Sequence, residues 1–244
     1  HSKIKVIGLC HQLGAGYAMV GKALAKDLDI TVPPNFTSTH ASPKYSSGML
    51  ATALQALEKI KITAAGLNHF TWMLGLRDRR TGQDLYPLFR ERWRELPEHF
   101  EPLTQRVFES FGLFPIPGDE HLCEYLPWVS DPVTEPWDKY ELELYEWQDH
   151  SQERDDKWEE LEHVVTIQTN PEEFVPSHSE GALEIIENIL KDSDFIWEAV
   201  NVPNQGQIPN LPEGAIVELP GLLNAEGAKG VPIGEMPSGI AELL

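Results

Sequence analysis

The sequence predicts a mixed α/β fold, because strand-like and helix-like segments alternate along its 244 residues. Residues 3–10 are rich in Ile and Val, as strands are, and residues 17–28 carry apolar side chains at helical spacing. Residues 61–76 predict a strand or a hairpin, which Gly66 and Asn68 interrupt. This interleaving is typical of an α/β or α+β domain.

The segments that follow the first helix continue the same alternation. Residues 32–48 are rich in Pro, Ser and Thr and predict a loop, and residues 50–60 predict a short helix. Residues 88–111 predict a long or broken helical region, because Pro97 and Pro102 interrupt it.

The second half of the chain predicts a packed loop, two helices and a final strand pair. Residues 114–137 are too apolar and aromatic for a plain linker, so we expect an ordered loop. The acidic residues 141–165 predict a helix with two packing anchors, and residues 179–192 predict a helix with a serine cap. Residues 194–221 predict a strand, a loop and a strand. The anchors are Trp147 and Trp158, and the cap is Ser177 or Ser179.

Composition limits the class of partner. The formal net charge is −20, and such an acidic chain repels nucleic acid and anionic lipid, so neither is an expected partner. The 2 cysteines provide no disulfide framework, and no apolar run is long enough to cross a bilayer, which favours a cytoplasmic protein. The chain starts at His1 and ends in "SGIAELL", so we expect a piece of a longer protein.

The glycines near the start resemble a dinucleotide-binding turn, but their spacing differs from it. Gly14, Gly16 and Gly21 are spaced G-x-G-x-x-x-x-G, and Met19 stands where the third glycine of the fingerprint belongs. We therefore expect a glycine-eased turn that leads into a helix.

Cys10 and His69 form a candidate pair of metal ligands. Cys10 and His11 stand where a strand is predicted to end, and His69 lies in a β-like segment. A thiolate and an imidazole from two neighbouring strands would suit a divalent metal that keeps positions open for substrate. The alternative for Cys10 is a small core residue.

Further polar candidates lie in two later segments. Asp119 in "PIPGDEH" is a candidate base, because a carboxylate in an apolar loop can have a raised pKa, or else it is a turn-forming residue after Gly118. His121 and Glu124 share that segment and would line a polar pocket. The amides of "NVPNQGQIPN" suit sugar hydroxyls, although ordinary turn chemistry explains them equally well; they are Asn201, Asn204, Gln205 and Asn210.

Four motifs together resemble the family 4 glycoside hydrolases, the NAD- and metal-dependent group. They are "GLCHQ", "GLNHFTW", "GDEHLCEYLPW" and "NVPNQGQIPNLPEGAIVELPG". Each is weak alone, but they occur in the family's order and span nearly the whole chain.

The resemblance implies a malate-dehydrogenase-like arrangement of two domains. Residues 1–30 would end the dinucleotide-binding domain, and residues 31–244 would form a catalytic α/β domain that is truncated at its end. The glycine-rich turn and an Asn-Pro segment of the family would precede His1, so we expect the chain alone not to bind NAD fully. The resemblance also implies a homodimer or a homotetramer, because these are the usual assemblies in the family.

The resemblance also implies site roles and chemistry. Cys10 and His69 would hold the metal, usually manganese. NAD would take a hydride from C3 of the sugar, and the metal-polarised ketone would acidify the C2 proton. A base, here Asp119, would remove that proton before the glycosidic oxygen leaves C1, water adds and the hydride returns. His11 would lie near the leaving oxygen, and we assign substrate contacts to Asn68, His121 and Asn204.

The predicted function is therefore cleavage of an α-glucoside, α-galactoside or α-galacturonide. "CHQ" in place of "CD" argues against a 6-phospho-sugar. One alternative is a malate or 2-hydroxyacid dehydrogenase, which needs an Arg/His pair for a carboxylate and no metal-binding Cys. The other is a sugar- or metal-sensing module without turnover.

Overall fold

The computed structural model describes Gly8 and residues 12–39, 46–142, 147–167 and 181–244. Within these residues six strands form one sheet in the order β3-β2-β1-β5-β4, and β6 pairs with β5. Every pairing between these strands is antiparallel. The strands are β1 (Ile60–Leu67), β2 (Phe70–Asp78), β3 (Phe114–Pro115), β4 (Phe195–Pro203), β5 (Ile216–Asn224) and β6 (Gly227–Gly230).

Helices surround this sheet, which confirms the mixed fold. The region predicted as a broken helix ends at Arg94 and restarts at Pro102, because proline is tolerated at the first helical turn and not in the interior. The helices are α1 (Leu13–Ala23), α2 (Ala25–Leu28), α3 (Ser47–Lys59), α4 (Tyr86–Arg94), α5 (Pro102–Phe111), α6 (Asp119–Tyr125), α7 (Trp147–Ile167), α8 (Ala182–Leu190) and α9 (Ser238–Ala241), with a 3-10 helix at Pro136–Tyr140.

The sheet separates two apolar cores. Adjacent residues of one strand enter different cores, since side chains alternate between the faces of a strand. Ala64 and Met73 belong to the first core, and Ala65 and Trp72 belong to the second. The first core also contains α1, so residues 13–30 pack together with β1 and β2. The proposed domain boundary at residue 30 stays a prediction.

The glycines of α1 lie inside the helix. The helix begins at Leu13, before Gly14, so the expected glycine turn is wrong in position. A Cβ atom on Gly16 would lie 2.9 Å from a methyl carbon of Ile116, and one on Gly21 would lie 2.9 Å from the Cβ of Ala56. These two glycines allow α1 to pack closely against its neighbours.

Three expectations about the second half have different outcomes. Residues 114–137 are an ordered segment that contains β3 and α6, as predicted. Trp158 is 69% exposed, so its role as a packing anchor is wrong. The side chain of Trp147 and the two candidate caps Ser177 and Ser179 lie outside the described residues, and α8 begins after Gly181.

No helix in the described part of the chain is long and apolar enough to span a membrane.

Candidate functional site

A row of paired residues crosses the sheet beside the β1–β2 turn. Gly66 on β1 pairs with Thr71 on β2 and with Glu218 on β5. Glu218 pairs in turn with Asn201 on β4, and Asn201 forms an isolated bridge with Gly8. Directly paired residues present their side chains to the same face of a sheet. The row therefore places the Glu218 and Asn201 side chains on one face.

The turn itself consists of Asn68 and His69, between the paired residues Leu67 and Phe70. His69 has a φ of 57°, a left-handed conformation that costs a non-glycine residue about 1–2 kcal/mol. On the adjoining strand β1, a Cβ atom on Gly66 would lie 2.3 Å from the carbonyl oxygen of Phe70, so only glycine fits there. The turn is thus held in one specific shape.

The Glu218 carboxylate accepts hydrogen bonds from both residues of this turn. The Nδ2 atom of Asn68 donates to Oε2 of Glu218 at 3.2 Å, and the backbone N–H of His69 donates to the same carboxylate. The Tyr125 hydroxyl donates to the Asn68 carbonyl oxygen at 2.7 Å. Glu218 is 2% exposed, and this burial raises its pKa to about 8, although the two donors lower it.

Glu218 was missed as a site residue by sequence reasoning. The signal was present, because a single acid stands within the apolar run "AIVELPG". Strand β5 is covered on both faces, because Glu218 on one face and Val217 and Leu219 on the other are all buried. A buried acid in such a strand needs hydrogen-bond partners.

His121 on α6 lies against His69. The centroids of the two imidazole rings are 4.4 Å apart. Nδ1 of His121 is 3.2 Å from Oε1 of Glu124. Desolvation lowers the pKa of His121, but the hydrogen bond to Glu124 and the charges of Glu120 and Glu124 raise it more, so that it lies above its ordinary value. Burial raises the pKa of Glu120 to about 7. The two imidazoles predicted for metal and substrate are therefore neighbours in an acidic setting.

The Asp119 carboxylate, predicted as a base, binds the start of α5. It is 0% exposed and accepts from the backbone N–H groups of Leu103 at 2.9 Å and Thr104 at 2.6 Å. Burial and the nearby charge of Glu101 raise its pKa well above the ordinary value, as expected for a base. However, the carboxylate is closed off from solvent. The alternative role after Gly118, which has a φ of 77°, fits this geometry better.

Asn204, predicted as a substrate ligand, holds its own loop. Its Nδ2 donates to the carbonyl oxygens of Ile208 and Leu211, each at 3.0 Å, and its Oδ1 accepts from the Ile208 N–H at 3.1 Å. The residue is 1% exposed. The amide is therefore engaged with backbone, and this geometry argues against contact with a sugar.

Cys10 and His11 lie outside the described residues. Gly8 bridges to β4, while His69 follows β1, and β4 and β5 lie between these two positions. The described residues do not include Cys10, so its pairing with His69 from a neighbouring strand stays a prediction. Across the described ranges, no group of three His, Cys, Asp or Glu side chains is placed to hold a metal ion. The donor chemistry of His69 nevertheless fits a divalent cation, because an imidazole nitrogen is a metal ligand and carboxylates lie beside its neighbour His121.

A family model, described as the family 4 glycosyl hydrolase C-terminal domain, matches residues 64–244. The chain belongs to glycosyl hydrolase family 4. The matched residues contain the whole β1–β2 turn, Glu218 and His121.

Relatives in family 4 include several curated glycosidases. An α-galacturonidase of Bacillus subtilis is 28% identical over 98% of this chain and 51% of its own length. An α-glucosidase of Erwinia rhapontici is 26% identical over 82% of this chain and 48% of its own length. The chain thus spans about half the length of these curated relatives.

Solved structures confirm the family 4 fold. A Bacillus subtilis protein described as a glucosidase superposes with a TM-score of 0.73 at 26% identity, over 98% of this chain and 52% of that one. A 6-phospho-α-glucosidase from gut microorganisms, solved with NAD and Mn²⁺, superposes with a TM-score of 0.60 at 19% identity, over 96% of this chain and 49% of that one. At 19% identity the second likeness establishes the shared fold for this chain, and the bound NAD and Mn²⁺ belong to that protein.

Proposed function

We propose that the protein that contains this chain is an α-glycosidase that depends on NAD and a divalent metal and works by oxidation and elimination. The observation that carries the proposal is the family 4 match over residues 64–244, which includes the β1–β2 turn with His69. Curated relatives that act as α-galacturonidase, α-glucosidase and α-galactosidase support an α-glycoside substrate. A relative solved with NAD and Mn²⁺ supports the two cofactors.

The metal would be held by Cys10 and His69, and when bound it would polarise a sugar oxygen. His69 supplies an imidazole nitrogen, and Glu218 holds the backbone from which that imidazole projects. The acidic groups around His121 would add to the attraction for a cation. Mn²⁺ is our choice of metal because of the relative that was solved with it.

NAD has no assigned residues in this chain. Gly14, Gly16 and Gly21 lie within α1, so they do not form a dinucleotide turn there. These glycines therefore do not supply the phosphate-binding turn that NAD needs.

Substrate contact is proposed for Asn68 and His121. His121 has a pKa raised above its ordinary value, which favours its charged form, and its ring lies against His69. A protonated imidazole donates from both ring nitrogens, so with Nδ1 facing Glu124 its Nε2 would donate to a sugar hydroxyl or to the carboxylate of a galacturonide. His11 beside the leaving oxygen and Asp119 as the base remain predictions, and Asp119 would have to leave its hydrogen bonds with α5 in order to act.

Hydrolysis of p-nitrophenyl α-glycosides by the full-length gene product tests this proposal. The α-glucoside, α-galactoside and α-galacturonide are compared under reducing conditions, with and without NAD and Mn²⁺. We expect release of p-nitrophenol only when both are present. Hydrolysis without either would contradict the mechanism, and turnover of none of the three sugars would favour the sensing alternative.

Cys10→Ser is the matching variant, with Cys123→Ser as its control. Cys10→Ser should abolish the metal-dependent activity and leave the fold intact, because a serine hydroxyl is a much poorer ligand than a thiolate. The Cys123 thiol donates to the Glu120 carbonyl oxygen at 3.0 Å, and a serine hydroxyl can do the same. The control should therefore keep its activity. Full activity in Cys10→Ser would remove Cys10 from the site.

A further inference from the structure

We propose that Glu218 is a positioning residue, whose carboxylate holds the Asn68–His69 turn and so sets the direction of the His69 imidazole. The inference deepens the proposed function, because it rests on His69 as a ligand of the metal. It assigns Glu218 no contact with metal or sugar.

The contacts are specific to the two residues of the turn. Asn68 uses its side-chain Nδ2, at 3.2 Å from Oε2, and His69 uses its backbone N–H. A carboxylate is an acceptor with two oxygens, so one side chain can satisfy both donors. The Tyr125 hydroxyl donates to the backbone carbonyl oxygen of Asn68 at 2.7 Å. Both residues of the turn are therefore tied to side chains from outside the hairpin.

The carboxylate is itself held firmly. Glu218 lies on β5, which pairs with β1 on one side and β4 on the other, at the level of Gly66 and Asn201. Its neighbours Val217 and Leu219 are 0% exposed. An anchor on a central strand cannot shift without the sheet, and groups that position a ligand are most precise on such rigid elements.

The left-handed conformation of His69 shows why an anchor is needed there. A histidine at a φ of 57° is outside its preferred backbone region, and it is kept there only when the surroundings determine it. Its amide hydrogen bond to Glu218 does this directly. Without that bond, the backbone can relax and the imidazole changes direction relative to His121, whose ring centroid is 4.4 Å away.

The experiment compares Glu218→Gln and Glu218→Ala with Glu101→Gln in the full-length protein. Glu101 is a matched control, because it is also a buried acid that accepts backbone N–H bonds, but its donors are Thr39 and Asp119 in place of residues of the turn. The first readout is the NMR signal of the His69 ring in protein with labelled histidine, with the exposed His99 as internal reference. The second readout is the affinity for Mn²⁺ alone, measured from the free-ion EPR signal.

We expect Glu218→Ala to move the His69 ring signals and to weaken Mn²⁺ binding by about 10- to 100-fold, as loss of a group that orients a metal ligand does. Glu218→Gln keeps one acceptor oxygen and should show a smaller effect of the same kind. Glu101→Gln should lower the stability without moving either readout.

Unchanged His69 signals in a folded Glu218→Ala protein would overturn the proposal. If that variant does not fold, Glu218→Gln decides on the same readouts. If the wild-type protein does not bind Mn²⁺, the metal assignment of the proposed function fails, and the His69 signals still decide whether Glu218 positions the turn.

Discussion

The amide of Asn204 binds the backbone at Ile208 and Leu211 with distances of 3.0–3.1 Å. From the sequence alone, an Asn in a loop rich in Gly, Pro and Asn is equally compatible with sugar binding and with turn formation. The burial of Asn204 decides between these two roles. That burial depends on how β4 and β5 pack around the loop, and a local sequence pattern does not show this packing.

Asn204→Ala should lower the free energy of unfolding by about 2–3 kcal/mol, because it leaves several buried backbone groups without a partner. Urea denaturation measures this. Asn188→Ala serves as the control, since Asn188 is only half-buried on α8 and its Nδ2 bond to the Glu184 carbonyl oxygen is solvent-exposed, so the loss of stability should be much smaller. A loss of glycosidase activity in Asn204→Ala at unchanged stability would instead restore Asn204 as a substrate ligand.

The residues of the site divide in the same way. His69 lies in the β1–β2 turn and His121 lies against it. For these two residues, the residue type and the surrounding motif were sufficient to predict a place in the site. Glu218 was not selected, because its role is visible only when β5 is placed beside β1. Asp119 was selected for an apolar setting that the structure confirms, yet its hydrogen-bond partners lie on α5, 15 and 16 residues away in the chain.

At the scale of elements, local signals were the most informative. The interruption at Gly66 and Asn68 marks the β1–β2 turn, and Pro102 marks the start of α5. The α1 glycines led to a wrong prediction of a turn. In the sequence, a glycine that makes room for a neighbouring helix cannot be distinguished from one that forms a turn.

The glycines of α1 can be tested as a pair. Gly14→Ala should stabilise the protein by about 0.5 kcal/mol, because no atom lies within 4 Å of the new Cβ and alanine favours the helix. Gly21→Ala should destabilise it by about 1–3 kcal/mol, because the new Cβ would lie 2.9 Å from that of Ala56. Denaturant midpoints compare the two, and equal shifts would show that Gly21 is not a packing residue.

The junction of α5 and α6 should give the protein a pH-dependent stability. The pKa of Asp119 is raised in the folded state by burial and by Glu101, so the folded protein holds this proton to a higher pH than the unfolded chain does. Its contribution is therefore complete at low pH and is lost as the pH rises from about 4 through the folded pKa.

Asp119→Asn should flatten this part of the stability profile, and it should also cost about 1–3 kcal/mol because one backbone donor at the start of α5 loses its acceptor. The free energy of unfolding measured across pH tests both effects. Glu109→Gln on the exposed side of α5 is the control and should leave the profile as it is. An unchanged profile in Asp119→Asn would mean that its proton is not taken up on folding.

For the whole molecule, the sequence indicated the mixed fold but not the strand order. The pairing of β1 with β5 joins Gly66 to Glu218, and the bridge from Gly8 to Asn201 joins residues that are 193 positions apart. Such contacts form only when the two cores assemble on opposite faces of the sheet. The sequence does not predict which strands become neighbours, because apolar strands of similar composition can pair in several orders.

The net charge of the chain predicts a response to salt. At pH 7 the formal charge of −20 makes like charges repel in the folded state, so added NaCl should raise the thermal unfolding midpoint by screening that repulsion. Near the isoelectric point of about 4.7 the same salt should have a much smaller effect. Calorimetry at both pH values checks this, and equal shifts would show that net charge is not the cause.

The row from Thr71 through Gly66, Glu218 and Asn201 to Gly8 also has a consequence for insertions and deletions. Because side chains alternate along a strand, adding one residue to β5 before Glu218 would turn the carboxylate to the opposite face and present an apolar side chain to the Asn68–His69 turn. Adding two residues would restore the original facing after a shift along the strand. The site therefore depends on the parity of strand length as well as on the identity of its residues, and length changes in β5 should be tolerated in pairs rather than singly.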